Sequence, residues 1–176
     1  MIRAPYDTKL SLDPVTSKIM SKIGEQLVHK DDDAFIACTG TAGTGKSSLM
    51  MHCYEAYDPE GATVDSIGLN REQHAKALQF ASSTVGRRFC GFDEANVNRR
   101  NAMTTENKDL IGLYYSIRGL RIFHWWNNPS VEMLDKPFIE ERIKGLIFIA
   151  TKTNDRPRIF YYYTKQGLLK LLEDKG

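Results

Sequence analysis

The chain is poor in cysteine, poor in net charge and lacks any long apolar run. Its three cysteines, Cys38, Cys53 and Cys90, are odd in number and none forms a C-x-x-C pair. That argues against a disulfide framework or a zinc ribbon. Cys38 and Cys90 fall in apolar runs and read as buried thiols, which fits a reducing, intracellular and cytoplasmic setting. No stretch of 18 or more apolar residues occurs, and Met1–Tyr6 has no signal-peptide core. Lysine and arginine number 24 against 22 acidic residues, a net charge of +2 that by itself implies no nucleic-acid partner. A guanine-reading Asn-Lys-x-Asp motif is absent, as are internal repeats, low-complexity tracts and linkers. With 176 residues, 41% hydrophobic and 26% charged, the chain has the composition of one globular domain. The expected organisation is an irregular leader over residues 1–12 and a single domain over 13–176.

What is present is concentrated between Ala34 and Ser47. The apolar run Phe35–Cys38 reads as a buried strand, and it feeds into Gly40-Thr41-Ala42-Gly43-Thr44-Gly45-Lys46-Ser47. This matches the Walker A pattern G-x-x-x-x-G-K-[ST]. Gly40, Gly43 and Gly45 let the backbone wrap so that successive N–H groups face one anion. The helix that follows, with Ser48 in its first turn, adds the positive end of its dipole. Lys46 reaches the β and γ phosphates, and the Ser47 hydroxyl is placed to ligate Mg²⁺.

The rest of the chain alternates helices and strands. Asp13-Pro14 starts a helix whose apolar stripe is Val15, Ile19, Ile23 and Leu27, and Asp31-Asp32-Asp33 reads as a solvated turn. Ser47–Tyr57 is a helix, Thr63–Ile67 a strand, and Asn70 caps a helix over 71–83 with Ala77, Phe80 and Ala81 towards a sheet. Arg88–Phe92 is a strand that ends in Asp93-Glu94. A carboxylate there holds Mg²⁺ in phosphate-loop enzymes, which points to Asp93, and Glu94 is placed to activate an attacking water.

Ala95–Thr105 is polar and irregular, and a helix over about 105–117 carries Leu110, Leu113 and Tyr114. The strand from Leu120 ends at Asn127-Asn128-Pro129, where either asparagine could sense the γ-phosphate. Trp125 and Trp126 point to opposite faces, one of them to the core. A broken helix over 131–142, a strand over 145–151 and an antiparallel return strand over 158–164 follow. A leucine-rich helix from Gln166 completes the chain.

These residues resemble a known group. Gly40–Ser47 followed by Phe92-Asp93-Glu94 is similar to the additional-strand P-loop ATPases. Tyr115-Ser116-Ile117-Arg118, Asn127-Asn128-Pro129, Leu134-Asp135 and Arg142 narrow the resemblance to the HerA/FtsK motors, including viral genome-packaging ATPases and Zot-like proteins. The resemblance implies a three-layer α/β fold with a mostly parallel sheet between helices and a C-terminal antiparallel hairpin. It also implies ATP and Mg²⁺ as ligands, double-stranded DNA as the translocated partner, and a ring, usually a hexamer. An arginine of one subunit, Arg118 or Arg142, would complete the neighbour's site, with Asn127 as the polar sensor. That group typically has glutamine as its sensor, and a shorter amide stands here. Three other readings fit the Walker motifs: a nucleotide kinase, an AAA-type loader or recombination ATPase, and a nucleotide-gated scaffold.

Overall fold

The computed structural model describes residues 13–29, 33–58, 62–86, 88–93, 112–131, 136–151 and 158–173. Helix α1 (Pro14–His29) begins as its sequence requires. The Asp13 carboxylate accepts from the backbone N–H of Val15 and Thr16 at 3.0 and 3.1 Å, and Pro14 needs no partner for a missing donor. Strand β1 (Ala34–Thr39) follows, then α2 (Lys46–Tyr57), β2 (Ile67–Gly68), α3 (Arg71–Ser83) and β3 (Arg88–Phe92). Residues 112–116 are helical (α4). They lead to β4 (Ile122–Asn128), α5 (Lys136–Glu141), β5 (Ile143–Thr151), β6 (Arg158–Thr164) and α6 (Lys165–Glu173).

The six strands form one sheet in the order β2-β3-β4-β1-β5-β6, parallel except for the β5–β6 hairpin at the edge. All six residues of β1 are buried, because helices cover both faces of the sheet. On one face Met20, Ile23 and Leu27 of α1 and Leu49, Met50 and Cys53 of α2 pack on Ile36, Phe123 and Trp125. On the other, Ala77, Leu78 and Ala81 of α3, Tyr114, Phe138 and Leu168 pack on Phe35, Ala37 and Trp126. The α/β fold with its C-terminal antiparallel hairpin is the one the alternation of elements predicts.

Several local expectations need correction. Thr63–Ile67 is not a strand. The Thr63 hydroxyl accepts from Asp65 N–H at 3.4 Å and closes a 3₁₀ turn over Val64–Ser66, leaving only Ile67 and Gly68 to pair with β3. Val15 is 63% exposed and Met20 takes its place on the buried stripe of α1. Phe80 is 39% exposed, and His74 and Leu78 join Ala77 and Ala81 on the buried face of α3. Both tryptophans are core, one on each face, because the sheet is covered on both sides. The leader over residues 1–12 and the turn residues Asp31 and Asp32 lie outside the described residues.

Asp33 is not a solvated turn residue. It is buried, and the guanidinium of Arg142 donates to its carboxylate and, at 2.9 Å, to the carbonyl of Tyr114. The same guanidinium lies 5.3 Å from the centroid of the Phe35 ring. This pair ties the entry of β1 to the entry of β5 and to α4. Two buried histidines lie nearby. Burial pushes His74 down to about 4, against the pull of the Gly91 carbonyl, and its ring stacks on Phe92 at 4.2 Å. His124, stacked on Phe35 at 4.0 Å, is held well below its usual range by burial, with His74 and Arg142 adding to the effect. Both are neutral in the fold.

Asp33→Ala is expected to cost about 3 kcal/mol in denaturant unfolding, because it strands a buried guanidinium. The double change Asp33→Leu with Arg142→Met is expected to recover most of that loss, and a double variant as unstable as the single one would contradict this account. The histidines set a pH dependence. An unfolded histidine takes a proton near pH 6.5 while the folded one does not, so stability is level above that pH and falls below it. For His74 the loss should reach about 2 kcal/mol at pH 5, read as a falling unfolding midpoint between pH 7 and pH 5. A flat profile across that window would refute the neutral, buried state.

Candidate functional site

The loop between β1 and α2 has the backbone that its glycines foretell. Gly40, Gly43 and Gly45 have φ of +149°, +77° and +91°. At Gly40 a Cβ would also meet the Ile149 carbonyl oxygen at 2.6 Å, so both conformation and space demand glycine there. Gly45 takes the N-cap position of α2 in a left-handed conformation and supplies no side-chain cap. The first N–H groups of α2 therefore open on a cavity of about 360 Å³ lined by Ala42, Gly43, Gly45, Lys46, Ser47, Ser48, Asp93, Asn127 and Pro129. Lys46 Nζ donates to the carbonyls of Gly40 at 2.7 Å and Thr41 at 3.1 Å, which holds the ammonium over the loop. Thr44 turns inward instead, its hydroxyl donating to Thr41 O at 2.9 Å.

The cavity also collects residues far apart in the chain. Asp93 directly follows β3, and its backbone N–H donates to Gly68 O at 2.9 Å. Asn127 near the end of β4 is fully buried, and its Nδ2 donates to Asp93 Oδ1 at 3.0 Å. Its Oδ1 accepts from the indole N–H of Trp125 at 2.8 Å. Ser47 and Asp93 thus offer a hydroxyl and a carboxylate, hard oxygen donors, to one space. Among the described residues no group of three or more His, Cys, Asp and Glu side chains could hold a metal. A cation at Ser47 and Asp93 would complete its shell with phosphate oxygens and water, which is how Mg²⁺ is usually held. Cys38, level with Asn127 in the register of β1 and β4, stays a thiol. Burial pushes it up to about 12, with Lys46 pulling it down and Asp93 pushing it up.

Asn128 points to the other face of the sheet, away from this cavity. Glu94 and the pair Leu134-Asp135 lie outside the described residues. Arg118 and Arg142 precede β4 and β5, at the end of the sheet opposite the loop, roughly 20 Å away along a seven-residue strand. Arg118 is exposed. Arg142 is not available to a neighbouring chain, because its guanidinium is buried against Asp33 and Tyr114. That corrects its candidacy as a shared arginine.

Sequence reasoning did not foresee the contacts of Asn127 with Trp125 and Met50. The period of two along β4, which places Trp125 on the same face as Asn127, was the available signal. Also unforeseen is a second cavity of about 510 Å³ that shares Ser47 and Asp93 with the first. It continues between α2 and α3 along Met50, Met51, Val64, Ile67 and Leu69, with Asp65, Gln73 and Lys76 as its other polar residues.

No known protein family and no curated protein matches this sequence. Solved structures do. A chain of the E. coli MS115-1 HORMA:CdnC:Trip13 complex aligns with a TM-score of 0.52 at 16% identity, over 81% of this chain and 64% of that one. A DNA polymerase III gamma subunit-related protein from Thermotoga maritima aligns with a TM-score of 0.53 at 9% identity, over 76% of this chain and 46% of that one. The N-terminal domain of zonular occludens toxin from Neisseria meningitidis aligns with a TM-score of 0.48 at 16% identity, over 76% of this chain and 84% of that one. The fold is that of the P-loop NTPases. This chain spans less than two thirds of the first two of these relatives.

Lys46→Ala is expected to weaken nucleoside triphosphate binding at least tenfold while leaving the unfolding midpoint within a degree or two. The side chain is half-buried and donates to backbone carbonyls of the loop itself. Equilibrium titration with a fluorescent ATP analogue reads it. Unchanged affinity would remove Lys46 from the site.

Proposed function

We propose that this protein binds ATP with Mg²⁺ and hydrolyses it. The observation that carries the reading is the meeting of Lys46, Ser47, Asp93 and Asn127 around one cavity at the uncapped start of α2. The phosphates lie on the N–H groups of residues 43–48, where Lys46 neutralises the β and γ oxygens. Ser47 and Asp93 would hold Mg²⁺, which would supply further neutralisation of the phosphate charge. Glu94, one residue beyond Asp93, serves as the base that orients the attacking water. Hydrolysis passes the water's proton towards Glu94 as the bond from the γ-phosphorus to the bridging oxygen breaks. The products are ADP and inorganic phosphate.

In this proposal the protein acts as a ring-forming motor on double-stranded DNA, the role that the resemblance to the HerA/FtsK group implies. Arg118 is the residue that completes the neighbour's site. Its exposure and its place at the end of the sheet away from its own loop support a role towards another subunit. One observation favours a second reading, phosphoryl transfer to a small molecule. The 510 Å³ cavity touches the same Ser47 and Asp93 and has room for an acceptor.

The deciding measurement is ATP turnover against protein concentration, with and without linear double-stranded DNA, in the parent chain and in Glu94→Gln. A motor with shared sites gives specific activity that rises with concentration and with DNA and falls at least a hundredfold in Glu94→Gln. Arg118→Ala should reduce turnover comparably without weakening ATP binding. Turnover indifferent to DNA and concentration would overturn the motor. ADP formed in excess of inorganic phosphate would point to an acceptor instead.

A further inference from the structure

We infer that Trp125 is a positioning residue for the metal-binding carboxylate, acting through Asn127. This inference rests on the reading of Asp93 as a Mg²⁺ ligand and adds to it the device that fixes how Asp93 is presented. The geometry is a buried chain of two hydrogen bonds. The indole N–H of Trp125 donates to Asn127 Oδ1 at 2.8 Å, and Asn127 Nδ2 donates to Asp93 Oδ1 at 3.0 Å. Trp125 and Asn127 are both 0% exposed, and they stand on one face of β4 two residues apart.

The order of groups leaves this chain a single orientation. An indole nitrogen can only donate and an ionised carboxylate can only accept. The amide between them must therefore turn its oxygen to the tryptophan and its nitrogen to the aspartate. Flipped, it would set a donor against the indole N–H and an oxygen against the carboxylate. The second hydrogen on Nδ2 is directed to Met50 Sδ, 3.9 Å away on α2. Asp93 and the thioether are thus the partners within reach of the two amide hydrogens. Asn127 therefore acts on the carboxylate rather than by donating to the γ-phosphate. This differs from the direct sensing role that its place on the strand first suggests.

Space at the site supports the same assignment. Gly91, two residues before Asp93 and on the same face, has no Cβ. One placed there would lie 2.9 Å from Met50 Sδ, 3.1 Å from Phe89 and 3.2 Å from Ile67. Glycine at this point lets Met50 reach the underside of the Asn127 amide. Trp125 in turn packs against Phe123 on the α1–α2 face, ring centroids 6.2 Å apart, so its indole is held by the core as well as by its own hydrogen bond. An outer partner anchored in the core in this way fixes a ligand's direction, and removing such partners from metal sites typically lowers metal affinity about 10- to 100-fold.

The test measures metal dependence apart from turnover. A fluorescent ATP analogue is titrated at fixed nucleotide with increasing Mg²⁺, and binding in excess EDTA serves as the metal-free baseline. Trp125→Phe keeps the buried ring and removes the N–H. It should raise the Mg²⁺ concentration at half-effect about tenfold and leave the EDTA baseline unchanged. Asn127→Leu should also raise the Mg²⁺ concentration at half-effect, and Trp125→Phe added to Asn127→Leu should cause no further rise, because one acts through the other. A Mg²⁺ requirement unaltered by Trp125→Phe, or two effects that multiply in the double variant, would overturn the inference.

Should Trp125→Phe not fold, the native protein supplies a second measurement. The chain has two tryptophans, Trp125 and Trp126, and only the Trp125 indole has a hydrogen bond to Asn127. Adding Mg²⁺ to the nucleotide complex should shift the Trp125 indole N–H resonance in a nitrogen–proton correlation spectrum. No shift would overturn the inference. If instead Mg²⁺ changes nucleotide binding in neither the parent chain nor Asp93→Ala, it is the reading of Asp93 that fails.

Discussion

Everything at the candidate site depends on where three parallel strands stop. In the register of β1 with β4, Cys38 stands beside Asn127, and in that of β3 with β4, Phe92 stands beside Trp126. One residue further on, Asp93 comes level with Asn127 and on its face of the sheet. The hydrogen bond between them follows from that row. A slip of one residue in either pairing would send Asn127 or Asp93 to the opposite face. The register is secured by burial on both sides, with Trp125 in one core and Trp126 in the other, so no shift can satisfy both. Stability and site geometry are therefore one constraint, written in the alternation along β4.

The same row explains the small residues around it. Gly40 lies against the carbonyl of Ile149, and Gly91 lies against Met50. Each marks a place where the backbone must come close to a neighbouring element for the cavity to form. Gly45 adds a left-handed turn that leaves α2 without a side-chain cap. The starts of α1 and α3 are closed instead, by Asp13 and by Asn70, which accepts from Gln73 N–H at 2.9 Å. Capping α2 by a side chain would stabilise the helix but fill the mouth of the cavity, so the lack of a cap sets this helix start apart from that of α3.

Much of this was legible in the sequence, for identifiable reasons. The loop is written in glycines whose conformations only glycine adopts readily, and the caps Asp13 and Asn70 precede their helices where the pattern places them. The antiparallel β6 followed from a short turn between two apolar runs. What could not be read were choices made by partners distant in the chain. Asp33 looks solvated until Arg142, 109 residues away, is seen to bury it. Thr63–Ile67 alternates like a strand, and the local bond from Asp65 N–H to Thr63 turns it into a 3₁₀ turn. Trp125 reads as plain core because its hydrogen bond goes to Asn127, whose own role depends on Asp93 from another strand.

The distribution of charge separates the structural from the functional groups without reference to any relative. In the core around the sheet, Cys38 of β1, Cys53 of α2 and His74 of α3 are kept uncharged: burial pushes the two thiols up to about 12 and the imidazole down to about 4. Charge persists at the two ends of the strands. At the end where β1 and β5 begin, Arg142 and Asp33 are sealed from water and matched to each other and to Tyr114. A buried pair of that kind contributes little net stability but cannot lose one member cheaply. Where β1, β3 and β4 finish, Lys46 and Asp93 are only half-buried and share the rim of an open cavity. Lys46 reaches loop carbonyls rather than a carboxylate in the bonds observed. Among the described residues the other buried charges are neutralised or paired, while a cation and an anion share one mouth, an arrangement that suits the proposed ligand, which bears both signs. A metal-bound polyphosphate has that composition: oxygens for the ammonium and the helix start, and a cation for the carboxylate.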